Sequence, residues 1–85
     1  MRRPLCAHLV PIWLKERCSR GACDFEGAGA LYDDWRIYAR RHGEEPGSTA
    51  EFAALMESLG FPCDQLVGDR RRIRWGLRLR IRPAP

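Results

Sequence analysis

No run of eighteen consecutive residues in the chain is apolar, so no segment is long enough to cross a bilayer as a helix. Histidine is scarce: only His8 and His42 occur, and neither stands in a recognisable nucleophile arrangement with a cysteine or serine. His42 reads as a helix-end residue. No glycine loop has phosphate-cradling spacing, and Gly27 and Gly29 merely flank a helix start. Asp33 and Asp34 are adjacent. Neighbouring helix positions point about 100° apart, so these carboxylates do not easily share a metal or a substrate. The cysteines, Cys6, Cys18, Cys23 and Cys63, form no Cys-x-x-Cys knuckle. A zinc site from Cys6, His8, Cys18 and Cys23 has only a weak pattern behind it, and Cys18 and Cys63 read as small core residues. A secreted disulfide framework needs an export signal. Arg2 and Arg3 before an apolar stretch imitate one, but Pro4, His8 and Pro11 interrupt it, and Lys15-Glu16-Arg17 follows without a cleavage site. These absences predict a cytoplasmic, non-catalytic protein with no cofactor, no metal, no small-molecule substrate and no membrane association.

Acid is also missing where it would matter most. Residues 70–85 contain seven arginines and no carboxylate, a net +7, whereas residues 1–69 carry eight basic and eleven acidic side chains, a net −3. That asymmetry predicts an anionic partner for the C-terminal segment. Lysine is nearly absent, since fourteen of the fifteen basic residues are Arg; a GC-rich genome explains this without any functional cause. Eighty-five residues make one small domain with a modest core.

From Ile73 to Ile81 the C-terminal segment alternates. Ile73, Trp75, Leu77, Leu79 and Ile81 are apolar; Arg74, Arg78, Arg80 and Arg82 lie between them, with Gly76 the exception. Strand side chains alternate between faces, so this reads as a half-buried strand with one apolar and one arginine face. Arginines two apart stand about 6.6 Å from each other, near a phosphate repeat, and each guanidinium can hold two phosphate oxygens. The competing interpretation is a merely solvated face of a small sheet.

Along the rest of the chain, residues 1–7 read as a loose arm, and Pro11 suits the first turn of a helix over 8–18. Its apolar stripe is Leu9, Ile12 and Trp13, and Ser19-Arg20-Gly21 ends it. A very short strand is predicted at 24–26. A second helix over 28–42 carries Leu31, Trp35, Tyr38 and His42 on one face and Arg36, Arg40 and Arg41 on the other. Ser48-Thr49-Ala50-Glu51 is a capping box that opens a third helix over 49–59, with Phe52, Leu55, Met56 and Leu59 as its stripe and Gly60 after it. A strand over 61–67, a turn at Gly68-Asp69 and a return strand over 71–82 form a hairpin, and 83–85 is a tail. The expected core is Trp13, Leu31, Trp35, Tyr38, Phe52, Leu55, Leu59, Phe61, Ile73, Trp75, Leu77 and Leu79. The tryptophans could stack on bases, but their places on apolar stripes assign them to the core. Three helices packed on a C-terminal hairpin define a small α+β winged-helix domain over 8–82.

Several segments carry a family resemblance: residues 13–18, Ala30-Leu31-Tyr32-Asp33-Asp34-Trp35 with Tyr38, residues 48–52, Leu59-Gly60-Phe61, and residues 75–80. Together they resemble the winged-helix C-terminal domain of phage and plasmid primase–helicases of the poxvirus type, over about residues 9–82. The resemblance implies a nucleic-acid-binding module from a mobile element, here without its helicase. One departure stands out. The third helix, which would enter the major groove, holds Glu51 and Glu57 and no basic residue, leaving only the hydroxyls of Ser48, Thr49 and Ser58 for weak readout. Binding, with duplex DNA as the expected partner, then falls to Arg70, Arg71, Arg72, Arg74, Arg78 and Arg80, aided by Arg36, Arg40 and Arg41. Arg74, Arg78 and Arg80 are expected to share one solvent-facing side. The alternative is a small phage-borne, protein-binding inhibitor of a host defence machine, of the anti-CRISPR type. It would contact a host nucleic-acid-binding protein complex through its arginine strand or through Glu44, Glu45, Glu51 and Glu57 as phosphate mimics.

Overall fold

The computed structural model describes residues 5–65, 68 and 71–80. It is an α+β fold of three α-helices and a three-stranded antiparallel sheet. A 3-10 turn, Ala7–Leu9, leads into α1 (Val10–Arg17); β1 (Cys18–Gly27), α2 (Ala28–Arg41), α3 (Thr49–Ser58), β2 (Cys63–Gln65) and β3 (Arg72–Leu79) follow. The strand order is β1-β3-β2, so the last strand is the middle one. Leu5 and Cys6, within the expected arm, pack half-buried against the core.

Helix α1 has Pro11 in its first turn, where no backbone donor is required. Its inward face is Val10, Trp13 and Leu14, rotated from the expected stripe, and Ile12 is left 47% exposed. No glycine stops this helix. Cys18 is already extended, with φ −123° and ψ 152°, and the chain passes straight into β1. The expected Ser19-Arg20-Gly21 terminator is therefore strand, because pairing with β3 supplies hydrogen bonds that local turn preference cannot match. Cys18, Ser19 and Arg20 pair with Leu79, Arg78 and Leu77; Phe25, Glu26 and Gly27 pair with Trp75, Arg74 and Ile73; the register shifts in between.

In α2 the buried face is Leu31, Trp35, Tyr38 and Ala39. His42 caps the helix end, its ring stacked on Tyr38 with centroids 4.3 Å apart. The following loop is fastened from beneath: Trp35 Nε1 donates to the Pro46 carbonyl at 2.9 Å and the Tyr32 hydroxyl donates to that of Gly47 at 2.6 Å. The capping box at α3 is complete. Glu51 N donates to Ser48 Oγ at 3.1 Å, and Ser48 N donates to Glu51 Oε1 at 2.7 Å. Gly60, with φ +92°, closes α3, letting Phe61 N bond back to the Met56 carbonyl. Phe52 and Met56 are buried, but Leu59 is 40% exposed and is not core, since the chain reverses at Gly60 before the helix can cover it.

The core centres on Trp13, which meets Trp35 and Phe52 edge-on at centroid distances of 5.8 and 5.7 Å. Such pairs contribute about 0.5–1.5 kcal/mol each beyond their buried area. Cys18, Phe61 and Leu77 close it from the sheet side.

Strand β3 does not alternate as its sequence suggests. Gly76 has φ +98°, and the face of the strand changes there. After it, Leu77 is fully buried in the core, with Leu79 packed against it. Before it, Arg74 turns toward the helices and is only 4% exposed. Ile73 and Trp75 then occupy the opposite face. Ile73 is buried there, outside the main core, whereas Trp75 is half-buried against Phe25. Of the expected strand over 61–67, Cys63–Gln65 pair with β3 and the Pro62 carbonyl accepts from Trp75 N at 3.2 Å, and residues 66–67, 69–70 and 81–85 lie outside the described residues.

Replacing Gly76 with Ala tests this account. A Cβ there sits 3.2 Å from Phe61 Cδ1, in a backbone region that L-residues avoid. Urea denaturation should show a loss of about 1–3 kcal/mol.

Candidate nucleic-acid interface

The change of face at Gly76 divides the candidate arginines. Arg74 is not available to a partner: its Nη1 donates to Glu57 Oε2 at 2.8 Å and to the Phe61 carbonyl at 2.7 Å, beneath the sheet. The expectation that Arg74, Arg78 and Arg80 share one solvent-facing side is overturned, because Arg74 is buried and the positive φ at Gly76 falls between it and the other two. Arg72 follows Arg74 onto the helix side but is exposed, at the rim of a groove of about 510 Å³. Tyr32, Thr49, Ala50, Phe52 and Ala53 also line that groove. Arg71 is exposed beside it in sequence. Arg70 lies outside the described residues.

Arg78 is on the other face, its side chain 61% exposed and 4.0 Å from Asp24. Arg80 bends back to the end of α1, where Nη2 donates to the Lys15 carbonyl at 3.1 Å and Nε to that of Cys18 at 3.3 Å. A cation there answers the helix dipole. On α2, Arg36 lies 3.8 Å from Asp33 one turn earlier, and Arg40 and Arg41 are exposed at the helix end.

The carboxylates of α3 are internally engaged. Glu51 belongs to the capping box, and Glu57 accepts both from Arg74 and from Cys63 N at 3.2 Å. The hydrogen bond from Arg74, then that from Cys63, hold the Glu57 carboxyl below its ordinary value. Glu44 and Glu45 are half-buried in the loop before α3. Glu51 and Glu57 are nevertheless exposed at the surface, the Glu57 side chain at 53%.

Asp33 and Asp34 diverge as helix geometry requires. Asp33 is exposed. Asp34 binds α1 to α2: Arg17 grips both its oxygens at 3.0 and 2.8 Å, and Trp13 Nε1 donates to it at 2.9 Å. Burial pushes the Asp34 carboxyl up, but the hydrogen bonds from Arg17 and Trp13 and the charge of Arg17 outweigh that and hold it low. All four cysteines are free; Cys18 is buried, and burial pushes its thiol up to about 12. Cys6 Sγ and His8 Nε2 are 3.6 Å apart, but no group of three or more metal-binding side chains occurs among the described residues. Nor, among them, is any helix long and apolar enough to cross a membrane.

Sequence reasoning missed three contributors: the Arg74–Glu57 pair, the Phe25–Trp75 pair, and Arg20, whose guanidinium lies 5.3 Å from the Phe61 ring centroid. The available signal was Gly76, since glycine inside a strand marks an irregular ladder. No family model matches the chain, and no curated protein matches it significantly.

Arg74 and Arg78 provide a matched comparison, being the same residue type four apart on one strand. Arg74→Glu places a second carboxylate against Glu57 and should cost about 3 kcal/mol or more in urea denaturation. Arg78→Glu should change stability by about 0.5 kcal/mol or less.

Acid titration gives a second test. The depressed carboxyl of Asp34 stabilises the fold above its unfolded-state value, and that contribution disappears as pH falls through the folded value. The stability gap between wild type and Asp34→Asn should therefore be widest near neutral pH and close below about pH 4.

Proposed function

We propose that this chain is a non-catalytic, cytoplasmic nucleic-acid-binding module of winged-helix type, derived from a phage or other mobile element. The element order and the strand order β1-β3-β2 are compatible with that architecture. The resemblance to primase–helicase C-terminal domains supports the origin and the partner. One observation carries the reading. The acidic character of α3, the main objection to it, is largely offset inside the molecule: Glu57 is paired with Arg74, and Glu51 caps its own helix at the positive end of the dipole. At the groove beside this helix stands the exposed Arg72, preceded in sequence by the exposed Arg71 and by Arg70. Phosphates of a duplex would meet these arginines there, across the groove from the exposed Asp33, which Arg36 partly offsets at 3.8 Å. Contacts of this kind position a protein on the backbone without specifying sequence. A nucleic-acid mimic would instead need open carboxylates, and two of the four it would use are engaged.

Titration of a mixed-sequence duplex at two salt concentrations tests the proposal. Affinity should fall steeply with salt, and the double variant Arg71→Glu/Arg72→Glu should lower the log–log slope by about 1.8, or about 0.9 per lost phosphate contact. Absence of duplex binding at low salt overturns it.

A further inference from the structure

The face of the sheet on which Ile73 is buried also carries an aromatic pair that the duplex reading leaves unused. Phe25 on β1 and Trp75 on β3 are cross-strand partners with ring centroids 5.3 Å apart and planes inclined at 58°. Phe25 is 42% exposed, and Trp75 is half-buried beside it. An ordinary alternating strand would have turned Trp75 inward with Leu77. Instead, β3 breaks its alternation at Gly76, directly after Trp75, and β1 shifts register between Arg20 and Phe25, directly before its partner. Irregularities of this kind re-aim side chains and concentrate beside functional sites. The Trp75 indole is also held in place, with Nε1 donating to Asp64 Oδ2 at 3.0 Å.

We propose that this face binds single-stranded nucleic acid, with an unpaired base stacking on the Phe25–Trp75 pair and Arg78 gripping a neighbouring phosphate. The inference rests on the nucleic-acid reading above and gives it a second strand class. Aromatic rings on a sheet with arginine nearby are the components of a stacking platform, since every base has a π-face. With Leu77 turned into the core, alternation assigns Arg78 to the face opposite it, and its side chain is 61% exposed. Three acids stand nearby, and one of them, Glu26, is occupied by Leu79 N, which donates to it at 2.9 Å. Asp64 is occupied by the indole and by Gln65 N, which donates to it at 2.8 Å. Asp24 is 4.0 Å from Arg78, beyond good hydrogen-bond range, so a phosphate can displace it. A duplex does not fit this role, because its bases are already stacked on one another and cannot meet the rings.

The tryptophans make the test direct. Trp13 and Trp35 are fully buried, which leaves Trp75 as the indole that a base can reach. Oligothymidylate should bind and quench tryptophan emission, and Trp75→Phe should abolish the quenching. Phe25→Ala should weaken oligothymidylate binding by about tenfold or more, a loss typical of removing one stacking ring. Phe25→Tyr should retain it, and duplex affinity should stay unchanged in both. Oligothymidylate binding without quenching, or binding indifferent to Phe25→Ala, overturns the stacking site while leaving the phosphate reading intact. So does a protein that binds duplex but no single strand. Failure to bind either overturns both.

Discussion

The surface of this protein follows from the backbone at Gly76. A single residue with positive φ in the central strand decides which side chains of β3 are core and which are surface. Without the turnover, Arg74 would lie outside with Arg78, and Trp75 would enter the core with Leu77. With it, a guanidinium goes under the sheet and an indole goes over it. The arrangement persists because each displaced group has a partner. Arg74 finds Glu57 and the Phe61 carbonyl; Trp75 finds Asp64 and the Phe25 ring. No buried side-chain polar atom among the described residues lacks a hydrogen bond. That matters in a domain this small, where one unsatisfied group would cost about 1–3 kcal/mol of a narrow stability margin.

Around that strand the helices are held by groups that combine apolar bulk with a polar tip. Trp13 fills the centre of the core and still donates to Asp34; Trp35 lies against Phe52 and donates to the Pro46 carbonyl. Each indole thus packs and also fixes a neighbouring segment, α1 against α2 in one case and the α2–α3 loop in the other. Arg17 adds a two-point grip on Asp34, so the link between α1 and α2 is apolar below and ionic at the rim.

The functional consequence is a division of labour between faces. Arg72 stands at the groove beside α3; Arg78 stands 4.0 Å from Asp24. A strand that seemed to present one row of arginines presents two separate cations in different chemical surroundings, one at a groove lined by small and hydroxyl-bearing residues and one beside Asp24.

The local features were legible in the sequence. Helix α3 was, because Ser48 and Glu51 form a cap whose hydrogen bonds depend on residues three apart, and α2 was, because Leu31, Trp35 and Tyr38 keep a helical period. The charge asymmetry was equally plain. What the sequence could not supply was any property that depends on pairing between distant residues. Strand β1 has weak strand character of its own and exists through its ladder with β3. Arg74 is buried because Glu57, seventeen residues earlier, is brought beneath it; as a lone arginine it would have stayed in water. Trp75 is turned outward because one glycine adopts a conformation that its neighbours in sequence do not require. Periodicity determined the helices, the capping and the charge; the tertiary structure decided which face of β3 is inside, because alternation reports faces only while the backbone keeps one sign of φ.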